Sequence, residues 1–204
     1  MSDGRVRSDE RSERLFSENG IPTVTKMMTL PVWATVAFAG RCGRRIQTHL
    51  AKCCPKAPKW HADAFEYCLC IAEGRVGCAV PLVNSTIEDL TNAFNDSEHL
   101  ESEAPNLSVI KYKFTFQVGV VTAYAVKAAL VGQKWAAADN ASDAARQMCG
   151  LFKGNYQIVE DIRNDFWAIS NSSIQEGWDD SSMEPLSFYL TQAPLVSVDY
   201  DECI

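Results

Sequence analysis

Between Thr29 and Gly74 two amphipathic helical patterns, Pro31 to Cys53 and Pro58 to Gly74, face each other across a short proline-marked turn. Pro31 suits a first helical turn, with Thr29 as its candidate cap. Trp33, Val36, Ala37, Cys42, Ile46, His49, Leu50 and Cys53 then recur near the helical period, and Arg41, Arg44, Arg45 and Lys52 take other positions. In the second pattern Phe65, Cys68, Leu69, Ile71 and Ala72 form the stripe, and Gly74 and Gly77 end it. Neither stripe can stay in water alone, so each must be covered by its partner or by later helices.

The later sequence supplies those helices. Ser85-Thr-Ile-Glu88 reads as a capping box opening a third helix with Ile87, Leu90 and Phe94 inward. Residues 107–121 fit two templates. Ile110, Tyr112, Phe114, Phe116, Val118 and Val120 alternate as in a strand, yet Ile110, Phe114, Val118, Val121, Ala125, Ala128, Val131 and Trp135 make a helical stripe. A strand needs a partner for its backbone groups, and only Val196, Val198 and Tyr200 offer another alternation. The Ala-rich continuation favours one long helix from about 110 to 138. A fifth helix follows over Ser142 to Phe152. A sixth runs from about Asn155 to Ile174, with Ile158, Ile162, Phe166 and Ile169 inward and Gly177 as its stop.

The expected architecture is all-α: a single-domain bundle of five or six helices over residues 28–204. A disordered arm (1–27) precedes it and an acidic extended tail (176–204) closes it. The arm carries five basic and five acidic groups with almost no apolar period. Met27 and Met28 stand immediately before the first helical pattern and are a candidate true start of translation. The opening residues lack the apolar middle of an export signal, and Cys203 is misplaced for prenylation. No apolar run approaches the ~20 residues a membrane crossing needs. The expectation is a cytoplasmic protein with no membrane partner. Its eight cysteines then read as reduced thiols, since a chain of this size does not depend on disulfides.

Charge is unevenly spread. Residues 27–62 hold Arg41, Arg44, Arg45, Lys52, Lys56 and Lys59 with no carboxylate. Residues 176–204 hold Glu176, Asp179, Asp180, Glu184, Asp199, Asp201 and Glu202 with no Lys or Arg. One reading places the acidic tail against the basic hairpin. The other makes a charged surface that recruits a partner of opposite sign.

Leu30-Pro-Val-Trp-Ala through Ala39-Gly-Arg-Cys-Gly-Arg-Arg, Ala57-Pro-Lys-Trp-His, Ile71-Ala-Glu, and Glu176-Gly-Trp-Asp-Asp-Ser-Ser-Met-Glu-Pro-Leu-Ser-Phe-Tyr resemble segments of a group of uncharacterised bacterial helical proteins. The first helices are more distantly similar to putative immunity proteins that accompany polymorphic toxins. That class carries His in its later Ala-rich helix, whereas residues 122–138 hold none here. The resemblance implies a non-catalytic, protein-binding, immunity-like role and supplies no catalytic residue.

Four chemistries can be weighed on the residues themselves. Cys42, His49 and Cys53 lie at i, i+7 and i+11, and His61, Cys54, Cys68 and Cys70 could add ligands from the facing helix. A metal-binding protein or metal-dependent enzyme is therefore the alternative function, yet the Cys-x2–4-Cys pairing of structural zinc sites is missing. The same residues continue the buried stripe and read better as filler. A Cys–His nucleophile lacks any recognisable elbow, and thiols on apolar faces are quiet. Glu160, Asp161 and Asp165 share faces of the sixth helix and could divide acid and base roles, but Arg163 nearby makes a solvated surface the simpler reading. The cationic strip beside Trp60 could meet nucleic acid, although the chain is acidic overall, at −7. The glycines near 74–77 and 150–154 lack the context of a phosphate loop. The expectation is thus no enzyme, no cofactor, and a protein partner at the acidic C-terminal surface.

Overall fold

A computed structural model describes residues 20–53, 55–97, 106–153 and 155–191, apart from the side chains of His49, Ala51, Cys53 and residues 106–109. The described residues form eight helices: α1 Val24–Met27, α2 Val32–Cys53, α3 Lys59–Ala72, α4 Val80–Asp96, α5 Asn106–Leu130, α6 Lys134–Leu151, α7 Tyr156–Gln175 and α8 Pro185–Thr191. The fold is all-α, as expected. The two helices beyond the expected six are short: α1 falls in the anticipated arm and α8 in the anticipated tail. Each is fastened by a few large apolar groups, Met27 for α1 and Leu186, Phe188 and Tyr189 for α8. Seven residues or fewer give too short a periodic signal to read from sequence.

Two long helices organise the bundle. α5 packs on α6, α2, α4 and α3; α2 packs on α5, α6, α3, α8 and α7. Between them lies one continuous core that includes Phe38, Ile46, Phe65, Leu69, Leu90, Phe116, Phe152 and Phe166. Small residues set the closest approaches. A methyl on Gly40 would stand 2.9 Å from the Ala72 methyl, and one on Gly119 would stand 2.9 Å from the Phe65 ring. α3 therefore approaches α2 closely at Ala72, and seats its Phe65 ring on the bare backbone of α5 at Gly119.

Residues 109–120 are helical, not extended. The long helix does not run to 138, however. It stops at Leu130, where Gly132 takes φ +70°. There Gln133 N–H reaches the Ala128 carbonyl at 2.8 Å and Gly132 N–H reaches that of Ala129 at 3.0 Å. This glycine-terminated cap satisfies the last carbonyls of α5 and turns the chain back into α6. Of the expected inward stripe, Val118, Ala125 and Ala128 are buried and Phe114 and Val121 half-buried, while Ile110, Val131 and Trp135 are exposed; Tyr112, Phe116, Gly119, Ala123 and Val126 are buried as well.

Two predicted caps are replaced. The Ser85–Glu88 box lies inside α4, which begins at Val80 with Pro81 in its first turn. Burial of Val83 one turn earlier holds that start. Thr29 does not cap α2; its hydroxyl donates to the Lys26 carbonyl at 2.8 Å. Instead Asp180, 148 residues away in sequence, accepts the Val32 N–H at 2.9 Å and holds Lys134 Nζ at 2.9 Å. Of the anticipated tail, this acidic turn belongs to the body; Val196, Val198, Tyr200 and the carboxylates at 199–202 lie outside the described residues. No described helix is long and apolar enough to cross a membrane.

Asp180→Ala should lower unfolding free energy by about 1 kcal/mol, the usual value of an N-cap, and Asp180→Asn should retain most of it. Urea midpoints at unchanged slope will measure this; an unaffected Ala variant would refute the cap.

Candidate functional site

The arginines of α2 point into the protein. A one-turn spacing places Arg41 and Arg45 toward α7, and Arg44 falls toward α3. Arg45 grips Asp165 side-on, Nε to Oδ2 at 2.7 Å and Nη2 to Oδ1 at 3.0 Å, and reaches Asp161 at 3.2 Å. Arg41 Nε approaches the same Asp165 at 3.3 Å. Arg44 joins Glu73, with Nε at 2.9 Å and Nη2 at 2.7 Å, and Glu66 at 2.6 Å. Gln47 donates to Glu66 as well. Arg41, Asp165 and Glu73 are buried and the rest half-buried, so these pairs are little screened by salt.

The three arginines of α2 are neutralised by α3, its C-cap and α7; the tail carboxylates at 199–202 lie outside the described residues. One expectation is corrected. Asp161 and Asp165 are not a solvated surface; they are the internal counter-ions of α2. Nor do the arginines form a surface row for phosphates, which leaves exposed Lys56, Lys59 and Trp60 without them. The bonds shift acidity as expected. Burial opposes charge on Arg44, but the bonds to Glu73 and Glu66 outweigh it and hold the guanidinium above its ordinary value. Burial likewise opposes ionisation of Glu66, and its contacts to Arg44, Gln47 and Cys70 win, leaving its carboxyl below the ordinary range.

The proposed ligand cluster is dispersed. Cys42 is buried beside Asp165 and Cys149, and burial followed by the Asp165 charge pushes its thiol well up. His61 is buried on the other side of the hairpin, with Nδ1 2.8 Å from the Tyr112 hydroxyl and its ring edge-on to Phe116. The side chains of His49 and Cys53 lie outside the described residues, as does Cys54. Among the described residues no three His, Cys, Asp or Glu side chains gather as metal ligands. Cys42, Cys68, Cys70, Cys78 and Cys149 are free thiols. Burial raises Cys68 and Cys149 to about 12, which keeps both protonated and unreactive at neutral pH.

The sequence offers His61 only as a candidate ligand and carries no signal for its actual setting. Its Nε2 has no hydrogen-bond partner; the Asp96 carboxylate is 3.7 Å away. Burial lowers its pKa below the ordinary 6.5 and the Asp96 interaction only partly opposes this.

The exposed chemistry is on the 176–184 turn. Glu176, Asp179 and Glu184 are exposed and make no ion pair among the described residues. Ser181 and Ser182 hold the Asp179 carboxylate, with Ser181 Oγ at 2.6 Å and Ser181 N–H at 2.8 Å; these bonds keep its pKa below the ordinary carboxylate value. The Asp180–Lys134 pair ties this turn to the start of α6, where Trp135 follows with 62% of its surface exposed. Val131, at 51%, lies in the preceding turn, and Met183, at 48%, sits within the acidic turn itself.

Comparison of the chain with protein-family models, with curated proteins and with solved structures returns no match.

Two tests address the interior. Asp165→Ala strands Arg41 and leaves Arg45 with Asp161 alone, and should cost about 3–5 kcal/mol, whereas replacing Arg41, Arg45 and Asp165 together by apolar residues should cost far less. The His61 sign is also fixed. The folded pKa is depressed, so the unfolded chain takes the proton more readily, and stability is full above 6.5 and falls as pH drops below it. Glu66 adds a later loss, below its ordinary 4.5. Denaturant midpoints should therefore decline between these two values, and His61→Gln should flatten that decline; an unchanged slope would refute the assignment.

Proposed function

We propose that this chain is a non-catalytic protein-binding domain whose partner presents a basic face, in keeping with the immunity-like resemblance of its first helices. The observation that carries this reading is the clasp between Lys134 and Asp180. It holds an exposed tryptophan at the same end of the molecule as three carboxylates unpaired among the described residues. Tryptophan is over-represented among residues that dominate interface energies. Surrounding charge sets partner choice and approach rate more than affinity. Val131 and Met183 widen the apolar part of the patch without making it large enough to drive aggregation.

The interior supports the same reading from the other side. The arginines and aspartates that could do acid–base work are committed to each other, and the described thiols with a resolved shift are held protonated. Reactive groups of an enzyme are normally poised in an accessible cleft with matched pKa values. On the resemblance, the partner is a toxin domain that the chain neutralises by covering its basic surface.

Paired affinity capture tests the reading. The wild-type chain and a Trp135→Ala, Glu176→Lys, Asp179→Lys, Glu184→Lys variant serve as baits, both checked by circular dichroism. A specific partner should be held by the wild type, released near 0.5 M salt as surface charge is screened (about 3–4 Å Debye length), and absent from the variant. Its affinity for the variant should fall at least about tenfold, the effect of losing one hot-spot residue. Equal capture by both baits would overturn the assignment of this face.

A further inference from the structure

We infer that the cavity beneath α8 is a binding site for a small organic monocarboxylate, an activity separate from the protein-binding face. The cavity has a volume of about 220 Å³ and lies between α2, the end of α3 and α8. Its polar wall is built around Arg41. That side chain is only 6% exposed, and its one hydrogen-bonded nitrogen, Nε, is spent on Asp165. Arg45 takes the shorter bonds to both Asp165 oxygens, and Arg41 meets them through Nε alone. The two terminal nitrogens of Arg41 carry no hydrogen bond among the described residues. They are not sealed, either: among the described residues the fully buried side-chain polar atom without a partner is His61 Nε2. The guanidinium fork therefore opens into the cavity that Arg41 lines.

The fork is also held still. Tyr189 covers one face of the guanidinium at 4.9 Å. The Tyr189 hydroxyl donates to the Asp165 carbonyl at 2.9 Å, which fixes the ring from behind. A guanidinium clamped in this way loses little freedom on binding, and its paired N–H groups match the two oxygens of a planar carboxylate. Arg75 stands at the rim, 49% exposed, with Nε 3.3 Å from Glu73.

The other walls choose among anions. Ala37, Leu186 and Leu190 are apolar, which suits an alkyl tail. Glu73 is already bonded to Arg44 and Arg75, which also line the space, so the apolar groups rather than charge favour a carboxylate with an alkyl tail over phosphate. A space below the ~300 Å³ of ordinary ligand pockets limits the tail to a few carbons.

The test is calorimetric titration of the full chain with butanoate, with phosphate and chloride as arms at equal ionic strength. Butanoate should bind saturably and raise the thermal midpoint by a few degrees at saturating concentration. Arg41→Lys keeps the charge and removes the fork, and should weaken binding at least about tenfold. Because that variant also touches the buried network, Leu190→Trp is the second: it fills the cavity from its partly exposed rim and should abolish binding while the circular dichroism spectrum is retained. Absence of saturable butanoate binding would overturn the proposal. So would an equal response to phosphate or chloride, or wild-type affinity in Leu190→Trp.

Discussion

Asp165 is where this bundle is locked together. One carboxylate on α7 receives two guanidiniums from α2 and, through its backbone carbonyl, the hydroxyl of Tyr189 on α8. Three helices, α2 lying more than a hundred residues before the other two, thus meet at one residue. Energetically such a cluster is not a large gain, because desolvating the charges cancels most of their attraction. What it provides is selectivity among packings. A helix as apolar as the first half of α2 could slide or rotate on its neighbours at small cost, but every alternative position would leave a buried charge unpaired. Arg44 does the same on the opposite flank with Glu66 and Glu73. α2 is therefore pinned from both sides, and the close glycine contacts to α3 become possible.

That pinning was only half legible in the chain. The run of arginines was plain, and so was the absence of acids between residues 27 and 62. Composition suggested that the compensating charge lay in the acid-rich end of the chain. The true partners are isolated carboxylates in helices of mixed composition, Glu66, Glu73, Asp161 and Asp165. Net charge over a segment reports long-range fields, whereas a buried pair is decided by which side chains share a face. Spacing held a usable signal: positions 41 and 45 on one helix and 161 and 165 on another are both i, i+4 pairs of opposite sign.

The helices themselves were legible in proportion to how one-sided their burial is. α7 has one buried face, and Ile158, Ile162, Phe166 and Ile169 marked it without ambiguity. α5 is enclosed by α2, α3, α4 and α6, so apolar residues occur all around it and the period is blurred. This is why an alternating strand pattern could be drawn through Ile110 to Val120. Lack of a pairing partner, not periodicity, argued for the helix. The end of α5 is a different case. Propensity through Ala136–Ala138 is high, yet Gly132 supplies a left-handed cap that overrides it, and the chain reverses there.

The reversal at Gly132 also shapes the surface. Because the chain turns, Val131 and Trp135 emerge beside the acidic turn, and Asp180 fixes that turn by capping α2 and holding Lys134. An exposed tryptophan costs solvation free energy that a folded domain gains nothing by retaining. α8 folds back over Arg41 with Tyr189 anchored on the Asp165 carbonyl, so the 176–184 turn stands between two surfaces: the outward-facing patch beside Lys134 and the arginine-lined cavity under α8.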